Sequence, residues 1–195
     1  MCDLYWLIGL LTTVGALIAA AAAAVGVASA LNGGFFSAPA APAAMVTASV
    51  TSGIAAGMLG IGVRVAIDDF FRCMGSPPEC AQLLTDLQGV IAGLATVLLV
   101  QAVAAGVVAA VAWVPWAAQP GMLTILGALL LQLPLIPSAI ALTVALIDCA
   151  KEASVGVIVR PLLVGAIVTS LAVTAAIYVI RSRIAITEDQ GKVHR

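Results

Sequence analysis

The sequence predicts an all-α fold, a polytopic helical bundle of five transmembrane helices integral to a membrane. Three observations carry that expectation. Of 195 residues, 63% are hydrophobic and only 9% charged, whereas an ordinary soluble domain carries about 25% charged residues. The charges are also segregated, with none between Asp3 and Arg64 and none between Asp86 and Asp148. All nine aromatic residues (Tyr5, Trp6, Phe35, Phe36, Phe70, Phe71, Trp113, Trp116 and Tyr178) lie at or near the ends of the apolar runs, as a belt at the membrane–water interface requires. So little polar surface excludes a soluble enzyme or a disordered segment. Eight Lys and Arg against nine Asp and Glu leave a net charge of −1, with no basic excess to meet nucleic acid.

A helix needs about 20 apolar residues to cross a hydrocarbon core about 30 Å thick. Each long charge-free stretch therefore holds two spans parted by breakers. Asn32-Gly33-Gly34, Pro39 and Pro42 part the first stretch, and Pro115 with Pro120-Gly121 parts the second. The expected spans are 4–30, 43–67, 87–113, 121–147 and 161–180, helical because lipid offers the backbone no other partner. Only Arg64 falls inside one, within a turn of its end, where a long side chain snorkels to the headgroups. Ala28-Ser29-Ala30 resembles a signal-peptide cleavage site. The segment before it carries Asp3 but no Lys or Arg, and its apolar run far exceeds the usual length of about 7–15 residues, so it reads as the first span. The bundle takes residues 1–180, and the polar tail 181–195 suits a short helical extension or a docking strand.

Five spans place the N-terminus and loops 68–86 and 148–160 on one face, and loops 31–42 and 114–120 with the C-terminal tail on the other. Lys and Arg divide equally between the faces: Arg64, Arg72, Lys151 and Arg160 against Arg181, Arg183, Lys192 and Arg195. Arg181 and Arg183 abut the last span directly, which favours a cytoplasmic C-terminus and an extracytoplasmic N-terminus under the positive-inside rule. All four cysteines (Cys2, Cys73, Cys80 and Cys149) fall on the N-terminal face, where an oxidising compartment permits disulfides. The turn-rich stretch Met74-Gly75-Ser76-Pro77-Pro78-Glu79 suits a Cys73–Cys80 bridge and leaves Cys2 for Cys149. A zinc site fits less well, because the Cys73–Cys80 spacing is longer than metal-ligand spacings and no His is near.

No Asp, Glu, Lys or His lies mid-span, and the single histidine is His194. That argues against an intramembrane enzyme or proton relay, against Ser-His and Cys-His nucleophiles, and against haem ligated by a membrane histidine. The Gly-x-x-x-Gly matches lack the Gly-Lys-Ser/Thr of a phosphate loop. The expectation is a chain that is not an enzyme and holds neither cofactor nor metal.

The deep polar groups are Gln101 and Gln132. Gln101 lies twelve residues before Trp113 and Gln132 eleven after Gly121, which sets both about 17 Å from the connecting turn at about 1.5 Å rise per residue. They suit an interhelical amide–amide hydrogen bond or, alternatively, the lining of a polar pathway. Pro134 and Pro137 each remove a helical hydrogen bond nearby and should kink or break the fourth span, and broken helices at the midplane are where transporters place their sites. Small-residue ridges suit close helix packing: Ser49-x-x-x-Gly53-x-x-x-Gly57, Gly89-x-x-x-Gly93, Ala102-x-x-x-Gly106-x-x-x-Ala110 and Gly15-x-x-x-Ala19-x-x-x-Ala23. The expected function is that of a non-catalytic accessory or scaffold subunit of a larger membrane assembly. Its partners would be the lipid bilayer and other membrane subunits or copies of itself. The alternative is a small pore or solute transporter with Gln101, Gln132 and the Pro134/Pro137 break along its pathway.

Overall fold

A computed structural model of the chain describes residues 2–32, 40–74, 80–111, 115–149 and 155–193. In these apolar runs a helix satisfies every backbone N–H and C=O within the segment, and among the described residues there is no strand. Helix α1 spans Cys2–Asn32 and α2 Ala40–Gly57. A π-helical stretch, Met58–Val63, carries α2 directly into α3, Arg64–Met74. Then follow α4, Ala81–Ala110; α5, Pro115–Cys149; and α6, Val155–Val193. Five segments are long and apolar enough to cross a membrane: Leu7–Leu31, Pro42–Asp69, Ala81–Ala110, Ala118–Leu146 and Leu162–Ser182. Each overlaps one of the five expected spans, with ends that differ by up to six residues, and the architecture is that of a multi-pass membrane protein. Arg64 is exposed near the end of the second.

The prolines interrupt less than the sequence suggests. Helix α5 runs unbroken through Pro120, Pro134 and Pro137, so the fourth span neither waits for Gly121 nor breaks at its middle. Pro115 opens the helix at a position where its missing N–H costs nothing. Pro134 and Pro137 lie three residues apart on one exposed side of α5. There the Ser138 hydroxyl donates to the Pro134 carbonyl at 2.7 Å, a bond back to the preceding turn of the same helix. Helix α4 stops sooner than expected, with the Val111 N–H donating to the Val107 carbonyl at 3.0 Å. Helix α6 continues past its span to Val193, so the described part of the polar tail is a helical extension.

Of the aromatic belt, Tyr178 is 75% exposed on the outer surface. Phe35, Phe36 and Trp113, like His194, lie outside the described residues, and so do the side chains of Tyr5, Trp6, Phe70, Phe71 and Trp116.

The helices close a ring: α1 packs on α2, α2 on α4, α4 on α5, α5 on α6, and α6 back on α1. Helix α3 lies beside α1 at the cysteine-bearing end. Two apolar clusters fill the interior, one toward each end of the ring.

Candidate functional site

Four of the five spans each bury one polar side chain. Ser52 on α2, Gln101 on α4, Gln132 on α5 and Thr169 on α6 are 0, 0, 1 and 0% exposed. All four occupy the boundary between the two apolar clusters. One cluster contains Ala48, Ala104, Leu129 and Val173, and the other Ala55, Leu98, Ile136 and Ala166. Each polar residue falls in sequence between one member of each set. Among the described residues the buried polar side chains therefore form one layer, set between the two apolar clusters.

Helical phase explains why these side chains point inward. Leu98, Gln101 and Ala105 recur at the three- and four-residue steps of one helix face, as do Leu129, Gln132 and Ile136, and all six are buried. On α2, the Ser49 hydroxyl donates to the Ala102 carbonyl at 2.7 Å, while Ala44 and Ala48 lie against Gly26 of α1. Ser52 projects between these α4-facing and α1-facing sides.

The layer is partly bonded. The Gln132 Nε2 donates to the Gln101 Oε1, clasping α5 to α4. The Thr169 hydroxyl lies 3.1 Å from the Leu17 carbonyl of α1 and 2.7 Å from the Gly165 carbonyl on its own helix. Three buried atoms have no partner among the described residues: Ser52 Oγ, Gln101 Nε2 and Gln132 Oε1. A buried polar group left so costs about 1–3 kcal/mol. Chemically the layer holds neutral amides and hydroxyls, which bind by hydrogen bonds and do not exchange protons near neutral pH.

The sequence-derived candidates separate clearly. Gln101 and Gln132 meet, whereas Pro134 and Pro137 are exposed on the other side of α5 and do not join them. Of the ridge residues, Ser49 and Gly53 lie against Ala102, and Gly93 lies against Leu135. Gly57 and Gly89 face open space. The expected Cys73–Cys80 and Cys2–Cys149 bridges are not the ones formed. Cys80 is bonded to Cys149, with their Cα atoms 6.1 Å apart and a sequence separation of 69. The cause is the α4–α5 register. Val108 faces Gly121 and Gly93 faces Leu135, and Cys80 lies as far along α4 from Val108 as Cys149 lies along α5 from Gly121. The side chains of Cys2 and Cys73 lie outside the described residues. Near the bridge, the Gln88 Nε2 donates to the Asp68 Oδ1 and ties α4 to α3. Among the described residues, no three His, Cys, Asp or Glu converge as metal ligands would.

Sequence reasoning missed Ser52 and Thr169. Thr169 continues a small-residue step from Gly165, which is a weak signal that was there to be read. Ser52 sits one step off the Ser49–Gly53 ridge, and nothing in the sequence marks it.

Comparison with protein-family models, curated proteins and solved structures gives no significant match.

Proposed function

We propose that this chain is a non-catalytic multi-pass membrane protein that works by packing, as an accessory or scaffold subunit of a larger membrane assembly. The observation that carries the reading is the distribution of polar groups across the apolar slab. The buried ones are neutral and turned toward the chain's own interior, and the exposed hydroxyls of Thr47, Thr96, Thr124 and Thr174 are bonded back to carbonyls of their own helices, so the outer surface offers mainly shape. On that surface the positions of Gly57 and Gly89, where no atom lies within 4 Å of an added Cβ, are places where a neighbouring helix can approach closely. The partner class is another membrane subunit or a further copy of this chain. A pore or solute carrier draws less support, because its amides are enclosed and its two prolines face outward.

The disulfide supports the orientation expected from Arg181 and Arg183. A Cys80–Cys149 bridge persists in an oxidising compartment, so we place the N-terminus and this bridge on the extracytoplasmic side. After mild reduction of intact cells, a membrane-impermeant maleimide should label Cys149; labelling only after permeabilisation would reverse the assignment.

Photo-crosslinking side chains at positions 57 and 89, in native membranes, test the packing role. The expected result is discrete crosslinked protein bands at both positions, with lipid adducts alone at Leu171, which is exposed on α6. Lipid adducts at all three positions, together with solute flux through liposomes holding only this chain, would replace this reading with the transporter.

A further inference from the structure

The polar layer leaves a specific set of atoms unanswered. Gln101 and Gln132 share one hydrogen bond, from the Gln132 Nε2 to the Gln101 Oε1, although two facing amides can form a reciprocal pair with two. What remains is a donor, the Gln101 Nε2, and an acceptor, the Gln132 Oε1, carried by the same clasped pair. In the same layer, on α2, the Ser52 hydroxyl also lacks a partner among the described residues. Thr47 and Thr51 on the same helix instead donate to carbonyls one turn back, at 2.9 and 2.8 Å. All three partnerless residues are at least 99% buried.

We propose that this layer is a binding site for internal water, in which a water molecule accepts from the Gln101 Nε2, donates to the Gln132 Oε1, and has Ser52 as its third partner. The chemistry selects that occupant. A cation would be repelled by the amide N–H and an anion by the amide oxygen, and among the described residues no charged side chain is buried in the layer to compensate either. A paired donor and acceptor match a neutral group that both gives and takes a hydrogen bond. Buried waters typically make about three such bonds to otherwise unsatisfied groups, and three groups are on offer here. The water completes the polar layer between α2, α4 and α5, and it does so whether or not the chain serves as an accessory subunit.

The test uses the full chain in lipid nanodiscs, with glutamine side chains labelled with 15N, and reads water-to-amide Overhauser cross-peaks at mildly acidic pH. Gln101 and Gln132 should both show cross-peaks to a long-lived water, with the rotating-frame and laboratory-frame signs of a bound molecule. Exposed Gln82 should show only bulk water. In Ser52→Ala the deep cross-peaks should lose at least half of their intensity, because the water then has two partners. The wild-type chain carries the decisive measurement, so a variant that fails to fold does not remove it. Absence of the deep cross-peaks, or an amide pattern of two reciprocal hydrogen bonds, would overturn the proposal. Deep cross-peaks unchanged in Ser52→Ala would overturn the three-partner site.

Discussion

The two ends of the bundle are held together by different means. At the cysteine-bearing end, bonds join elements: Cys80–Cys149 links the start of α4 to the end of α5, and Gln88 reaches Asp68 of α3. At the opposite end the helices are joined by proximity. An added Cβ at Gly121 would lie 2.5 Å from Val108 Cγ2, and one at Gly26 would lie 3.2 Å from the Ala44 carbonyl oxygen and the Ala48 Cβ. At the first end the bridge and the Gln88–Asp68 hydrogen bond fix the register of α4 against α5 and α3. The second relies mainly on shape, as helices in lipid do when no hydrophobic force draws them together, with the Ser49 hydroxyl on the Ala102 carbonyl joining α2 to α4 toward the middle of the bundle.

That contrast can be broken from either end. The largest effect should come from Cys80→Ala with Cys149→Ala, since losing a bridge across a long loop typically costs about 2–4 kcal/mol. Denaturant unfolding in micelles would measure the loss. Hydrogen exchange should then rise at the start of α4 and the end of α5, leaving the Gly26 and Gly121 end protected. At that other end, Gly121→Leu should destabilise by about 1–3 kcal/mol through overpacking. Gly127→Ala, where no atom lies within 4 Å of the new Cβ, should leave the unfolding midpoint unchanged or slightly higher. A similar loss for both substitutions would show that close approach is not what closes this end.

Between the ends, Gln132→Leu should cost about 1–3 kcal/mol by leaving both polar atoms of Gln101 buried and unpaired. Adding Gln101→Leu should recover part of that loss, with a coupling of about 0.5–1.5 kcal/mol in a double-mutant cycle. The smallest effect should be that of Pro134→Ala, within about 0.5 kcal/mol, because the ring lies on an exposed face away from the polar layer.

The five spans were legible because the charges mark their limits, from the gap after Asp3 to Arg181. The Gln101–Gln132 clasp was legible because two neighbouring antiparallel spans can be counted from one turn. The same counting, carried to the far ends of those spans, pairs Cys80 with Cys149. A turn-rich neighbour, Cys73, drew the expectation toward a local bridge instead. The prolines misled for another reason: their cost depends on which side of the helix they occupy, and sequence alone does not give that phase. Phase also decides why Ser52 is buried in the layer while Thr47, one turn and a residue earlier, is exposed on α2. The ridge motifs fail to discriminate on the same ground, since Gly53 meets α4 and Gly57 meets no other helix among the described residues.

The proposal that this chain acts through membrane partners is tested most directly by the mass of the particle it forms in its own lipid. Extracted from native membranes into polymer-bounded nanodiscs and weighed by native mass spectrometry, the 19.5 kDa chain should appear within a discrete, heavier protein assembly of fixed stoichiometry. A lone 19.5 kDa chain across the concentration range, able by itself to pass a solute through liposomes, would contradict the account.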